Sequence, residues 1–253
     1  MALLHLLGTG AGYTDSWRTT TMLAFQDERS VVAVDCGGDL MQRLQSANCP
    51  LENVNALFIT HEHPDHCGGF PLFMEKRWLA GVNTPLHVYG PEAGLDQARK
   101  AFEVFGLPNW KGMAGVVWHP LPLEEHFLAY EDDIWHIVTS PTFHPVPTVG
   151  MRVVHKPSGF VTAYSCDTSP CEAVQKLATS ADILVHEANL LEGTLPNVHS
   201  SISEATTIAL AANAKRLLLI HVPRGISEVH LVQDRLRFSQ IEIGEELGAY
   251  PIA

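Results

Sequence analysis

The stretch Thr60-His61-Glu62-His63-Pro64-Asp65-His66-Cys67-Gly68-Gly69 places four metal-type side chains, His61, His63, Asp65 and His66, within six positions. Histidine offers a neutral nitrogen and aspartate a hard oxygen, the mix that suits zinc and similar divalent ions. Packed together without a cation, these groups would crowd polar atoms with little to satisfy them. The run Val54-Asn55-Ala56-Leu57-Phe58-Ile59-Thr60 just before them reads as a buried strand. The ligands therefore leave a rigid strand end and enter a loop, the setting in which chemistry is usually carried. Glu62 lies inside the motif but alternates away from the flanking ligands, so it reads as solvated or supporting.

The rest of the chain supplies a compact frame for such a site. Its 253 residues suffice for a sizeable core. Hydrophobic residues make up 46% and charged residues 17%, a balance that argues against disorder. Lys plus Arg number 16 against 28 Asp plus Glu, a formal charge of −12, which disfavours a broad nucleic-acid surface. Bound divalent cations would offset part of that charge. The segment Met1–Gly10 has no basic region and no cleavage signature, so no signal peptide is expected. No apolar run reaches membrane-spanning length, so no membrane association is expected. The five cysteines are odd in number and form no Cys-x-x-Cys pair, which fits a reduced, cytoplasmic protein. Cys67 and Cys166 stand beside candidate ligands and read as small packing residues.

Strands are predicted at Leu3–Leu7, Thr20–Phe25, Ser30–Asp35, Leu57–Thr60 and Leu86–Tyr89, with helices at Asp39–Gln45 and 91–105. Strands recur near 115–120, 134–139, 148–154 and 160–165. Beyond Asp167 helices (170–179, 201–213, 226–237) alternate with strands (182–186, 216–221). Each half opens with strands and then brings in helices. That pattern predicts an α/β fold of two mixed β-sheets packed face to face with helices outside, one four-layer α/β/β/α domain over residues 1–253. It does not specify strand order.

The first cluster needs partners, because each of two metals wants about four ligands. His144 lies in Thr-Phe-His-Pro-Val-Pro between two strands; Asp167 and His221 each follow an apolar strand. A histidine closing a run of Leu and Ile is costly unless it is paired or ligated.

Taken in order, the His-x-His-x-Asp-His motif, His144, Asp167 and His221 resemble the metallo-β-lactamase superfamily. Leu7-Gly8-Thr9-Gly10 and Val34-Asp35-Cys36-Gly37 extend the likeness over nearly the whole chain. Asp167-Thr168-Ser169-Pro170-Cys171, His186-Glu187-Ala188 and His199-Ser200-Ser201 resemble its ribonuclease Z and phosphodiesterase branch. The resemblance implies two metal sites: His61, His63 and His144 at one, Asp65, His66 and His221 at the other, with Asp167 bridging. Zinc is the first choice, and manganese or iron also suit this donor set. In such a site a metal-bridging hydroxide acts as nucleophile, and Asp65 takes the proton of the water from which it forms. His199, oriented by Glu187, is the expected proton donor to the leaving group. A homodimer is common in the resembling family. His186 reads as structural, as do the histidines elsewhere.

The chain also departs from ribonuclease Z. Only residues 145–166 separate His144 from Asp167, leaving no room for that group's transfer-RNA-binding arm; Met151–Phe160 reads instead as a plain hairpin with a Pro-Ser-Gly turn. Tyr13-Thr14-Asp15-Ser16-Trp17-Arg18 replaces a basic loop, and Asn189 stands where Thr is usual. A hydrolase of small or cyclic phosphodiesters is therefore expected. The alternative is a carboxyl-ester, thioester or lactone hydrolase on the same scaffold. Processing of transfer RNA at its 3′ end is less favoured.

Overall fold

Val31–Val34 and Leu217–Ile220 are runs of four apolar residues buried at every position. Strands inside a sheet covered on both faces require that pattern. The computed structural model describes residues 1–190 and 198–252. Its first strands are β1 (Leu3–Gly8), β2 (Met22–Gln26), β3 (Val31–Val34), β4 (Val54–Phe58), β5 (Leu86–Gly90) and β6 (Val116–Pro120). They are followed by β7 (Phe127–Glu131), β8 (Trp135–Pro141), β9 (Val149–His155), β10 (Phe160–Tyr164), β11 (Ile183–Glu187), β12 (Leu217–Ile220), β13 (Ile241–Ile243) and β14 (Gly248–Pro251). The α-helices are α1 (Leu40–Ser46), α2 (Pro64–Cys67), α3 (Phe70–Leu79), α4 (Glu92–Val104), α5 (Glu172–Leu177), α6 (Ile202–Ala211) and α7 (Val232–Arg237).

The strands form two seven-stranded sheets, ordered β14-β1-β2-β3-β4-β5-β6 and β13-β12-β11-β10-β9-β8-β7. Both are mixed: β3 to β6 run parallel, as do β10 to β13, while the remaining neighbours are antiparallel. One apolar cluster, including Leu6, Phe25, Phe58, Trp135, Met151, Tyr164 and Leu218, fills the space between the sheets. Two further clusters lie outside them, one joining α1, α3 and α4 to the first sheet and the other joining α5 and α6 to the second. The expected four-layer α/β/β/α arrangement is the one observed. Among the described residues, no helix is long and apolar enough to cross a membrane.

Besides α2, four elements lie outside the sequence-based reading. Helix α3 begins right after Gly68-Gly69, with Pro71 in its first turn, so its start was masked by residues that usually signal a turn. Strand β7 is a sheet edge with an irregularity between Leu128 and Tyr130, which breaks the alternation that marks a strand. Strand β13 has three residues, and β14 ends at Pro251 on a sheet edge, where the missing N–H is tolerated. The chain thus returns to the first sheet at its end, an order the local pattern does not contain. The β9–β10 hairpin is as expected, with Gly159 at φ +72° in its turn.

Helix α6 carries a full capping box: Ser201 Oγ accepts from the Glu204 N–H, and the Glu204 carboxylate accepts from the Ser201 N–H. Beneath this second-sheet layer lies His186, fully buried. Its Nδ1 meets the Glu187 carbonyl oxygen at 2.7 Å, and burial pushes its pKa down to about 4. The unfolded chain, with a histidine near 6.5, therefore binds the proton that the folded chain refuses. Stability should fall as pH drops from about 6.5 towards 4, by on the order of 3 kcal/mol from this residue alone. Urea unfolding measured across that range, with His186→Gln as the flattened control, tests it.

Candidate metal centre and active site

The site forms where the two sheets meet, beyond the carboxyl ends of their strands. This is the crevice in which open α/β sheets commonly bind ligands. His61 follows β4 and His63 caps α2, whose first residue is Pro64. Asp65 and His66 lie on α2 itself, not in the loop that was expected. One helical turn sends the two side chains toward a common point more rigidly than a loop would. His144 sits between β8 and β9, Asp167 follows β10, and His221 follows β12.

These seven residues converge. The ring nitrogens His61 Nε2 and His63 Nδ1 are 3.0 Å apart, and His144 Nε2 is 3.4 Å from His63 Nδ1. On the other side, His221 Nε2 stands 3.5 Å from both Asp65 Oδ2 and Asp167 Oδ2. His66 Nε2 is 3.7 Å from Asp65 Oδ2 and 3.6 Å from Asp167 Oδ1. The ligand atoms of His61, His63, His144 and Asp167 lie within 4.8 Å of one another, and those of Asp65, His66 and His221 do the same. Asp167 approaches both sets, with Oδ2 at 3.9 Å from His61 Nε2.

The donor set passes a physical test for a cation. His66 Nε2, His221 Nε2 and Asp167 Oδ1 are buried and have no hydrogen-bond partner. Orphaned polar atoms of this kind are expensive unless a ligand satisfies them. Borderline nitrogens and hard carboxylate oxygens, at these separations, suit a divalent metal. The imidazoles hold the Asp167 carboxyl well below the usual carboxylate range despite its burial.

Several supporting residues were not assigned roles from sequence. Asp35, fully buried after β3, accepts from the Thr60 N–H at 2.8 Å and from its hydroxyl at 2.9 Å, and meets His66 Nδ1 at 2.8 Å. It thereby turns the other nitrogen of His66 to the cluster. The Val198 carbonyl oxygen, 2.9 Å from His144 Nδ1, orients that ring in the same way. Asp35, Cys166 and His221 all have positive φ, at 61°, 54° and 49°. Such conformations store on the order of 1–3 kcal/mol each and gather at functional sites. Gly37 packs against the Asp65 backbone so closely that a Cβ there would fall 1.7 Å from the Asp65 carbonyl oxygen. The only advance signal was the quartet Val34-Asp35-Cys36-Gly37 ending a predicted strand. Glu246 was not foreseen at all. Its carboxylate pairs with Arg43 and accepts from the N–H groups of Thr9 (3.0 Å) and Thr19 (2.9 Å), pinning the loop that walls the site.

His199 and Glu187 also meet here. His199 Nδ1 is 2.9 Å from Glu187 Oε1. Glu187 is fully buried, and its two oxygens also accept from the N–H groups of Thr168 (2.9 Å) and Asn189 (3.0 Å). Burial opposes a charge on His199, but the Glu187 carboxylate outweighs it and raises its pKa. A cavity of about 430 Å³ opens above the cluster, lined by Gly12, Tyr13, His63, Asp65, Asp167, Asn189, His199 and His221 among others. Glu62 is absent from both ligand groups. Burial pushes the Cys67 thiol up to about 12 and raises the Cys166 thiol well above its ordinary value, so both stay neutral and pack.

A buried His/Asp cluster of this kind on a four-layer sandwich defines a divalent-metal hydrolase. Residues 31–222 match the beta-lactamase superfamily domain, and the chain belongs to that family. Ribonuclease Z of Bacillus thuringiensis (strain Al Hakam) is 28% identical, over 97% of this chain and 98% of its own. That alignment spans 305 positions against a chain of 253, so the relative carries residues absent here. Among solved structures, the metallo-beta-lactamase fold protein YhfI from Bacillus subtilis superposes with a TM-score of 0.82 at 22% identity, covering 98% of each chain. A diphosphatase of the PhnP family superposes at 0.77 with 18% identity, covering 100% of this chain and 98% of that one.

Replacing Asp35 with Asn should free the His66 ring and weaken metal binding by about 10- to 100-fold. Chelator competition followed by metal analysis measures that loss, with circular dichroism verifying the fold.

Proposed function

We propose that this protein is a dinuclear metal-dependent phosphodiesterase acting on small or cyclic phosphodiesters. The observation that carries the reading is the His199–Glu187 pair, 2.9 Å apart, on the wall of the cavity above the metal ligands. A phosphodiester must expel an alkoxide, and a carboxylate-backed imidazolium supplies its proton.

In this reading His61, His63 and His144 would hold one ion and Asp65, His66 and His221 the other, with Asp167 shared between the two sets. Zinc is the leading candidate, with manganese or iron as alternatives. Two such ions, when bound, make water nucleophilic at neutral pH and neutralise charge on the phosphate oxygens. Asp65 takes the proton of the attacking water. Glu187 fixes His199 through Nδ1 and leaves Nε2 for the leaving oxygen.

A small substrate is favoured over transfer RNA on two grounds. The net charge of −12 works against a long polyanion. The β9–β10 hairpin also joins its strands directly, with no inserted arm. The chain further reads as one folding unit over residues 1–253, because β14 completes the first sheet and both sheets share one central core. A cytoplasmic setting agrees with five unpaired cysteines. A homodimer belongs to this reading as an expectation for light scattering.

Metal-loaded protein should hydrolyse bis(p-nitrophenyl) phosphate and 2′,3′-cyclic nucleotides. His199→Ala should lower kcat by about 10²- to 10⁴-fold on the nucleotide, whose leaving oxygen needs a proton, and by less on the nitrophenyl ester. Turnover of thioesters, lactones or carboxyl esters with none of phosphodiesters would replace this reading by the ester-hydrolase alternative. Efficient cleavage of a transfer-RNA precursor would restore the nuclease.

A further inference from the structure

The cavity wall contains a feature that metal chemistry does not use. Tyr13 lines the cavity alongside Asp65 and His221, yet it is 75% exposed.

This ring is not on a loose tail. Its loop is stitched to the segment after His221: the Ala11 N–H donates to the Val222 carbonyl at 3.0 Å, and the Val222 N–H to the Thr9 carbonyl at 3.1 Å. Thr14 Oγ1 donates to the Val222 carbonyl at 3.1 Å, and the Gly225 N–H to Asp15 Oδ2 at 3.1 Å. Arg224 Nη1 donates to the Tyr13 hydroxyl at 3.3 Å, so the far end of the ring is tethered too. The neighbouring Gly12 lets the loop descend onto the ligands, for a Cβ there would come within 2.9 Å of Asp65 Oδ2. A flat, held, solvent-facing ring therefore stands one residue from the point where the loop touches the metal ligands.

Resting on the phosphodiesterase reading, we propose that Tyr13 is a stacking platform for a planar ring on the substrate. The site then selects nucleoside phosphodiesters over aliphatic ones. A volume of about 430 Å³ accommodates a group of nucleotide size. Ring-on-ring stacking suits any base, because each presents a π-face.

The test has a binding arm and a turnover arm. Calorimetry compares AMP with ribose 5-phosphate, which differ by the base. The native protein should bind AMP roughly tenfold more tightly, Tyr13→Ala should close that gap, and Tyr13→Phe should keep it. In the second arm, thymidine 5′-(p-nitrophenyl phosphate) and methyl p-nitrophenyl phosphate share a leaving group. Their kcat/KM ratio should fall about tenfold in Tyr13→Ala, chiefly through KM, and recover in Tyr13→Phe. Equal affinity for AMP and ribose 5-phosphate in the native protein, or an unchanged gap in Tyr13→Ala, overturns the platform. A Tyr13-dependent gap without turnover of any diester leaves the platform standing and overturns the phosphodiesterase reading instead.

Discussion

The structure turns on the burial of one carboxylate. Asp167 is 2% exposed and faces His61, His66, His199 and His221, with Oδ1 lacking any hydrogen bond. A buried charge in that position is tolerable only when cations or imidazolium protons surround it. The nearby ligands come from both sheets: His61 and His66 from the first, His221 and His144 from the second. The site therefore exists only when the two sheets are closed on their shared core, and the core in turn sets the spacing of the ligands.

Around that centre the protein spends its polar bonds on orientation. Asp35 turns His66, the Val198 carbonyl turns His144, and Glu187 turns His199. Each leaves one imidazole nitrogen aimed inward. Left-handed backbone at Asp35, Cys166 and His221 bends the chain sharply as it leaves β3, β10 and β12. Glu246, brought from the far end of the chain, ties down the loop bearing Gly12 and Tyr13. Most of the candidate metal ligands sit just past strand ends or on one helical turn, while His144, His199 and the groups proposed to choose a substrate sit on loops. Hydrolases that share a fold and differ in substrate are expected to divide labour in this way.

The proposed chemistry and the proposed selectivity have separate physical supports. The first depends on seven side chains whose donor types and distances suit divalent ions. The second depends on the surface around them: an acidic chain, a plain β9–β10 hairpin, and an aromatic rim held by Arg224. Family membership constrains the first far more than the second.

Much of the site was legible in the sequence because metal ligation demands rare residue types at tight spacing. His61, His63, Asp65 and His66 stand out within one short stretch, and His144, Asp167 and His221 follow apolar runs where polar residues need a reason. The layered fold was legible from strands and helices alternating along the chain. Strand order was not, since pairing β14 with β1 joins segments from opposite ends of the chain and leaves no local periodicity. Edge strands such as β7, with only partial burial, carry too weak an apolar alternation to be seen. The orienting roles of Asp35 and Glu246 were equally hidden. A carboxylate in a loop looks the same whether it meets water or a buried imidazole, and only packing in three dimensions decides which. The sequence by itself therefore determined which metal-type side chains are present and at what spacing. The tertiary structure decided which nitrogen of each ring points inward, because that depends on partners distant along the chain.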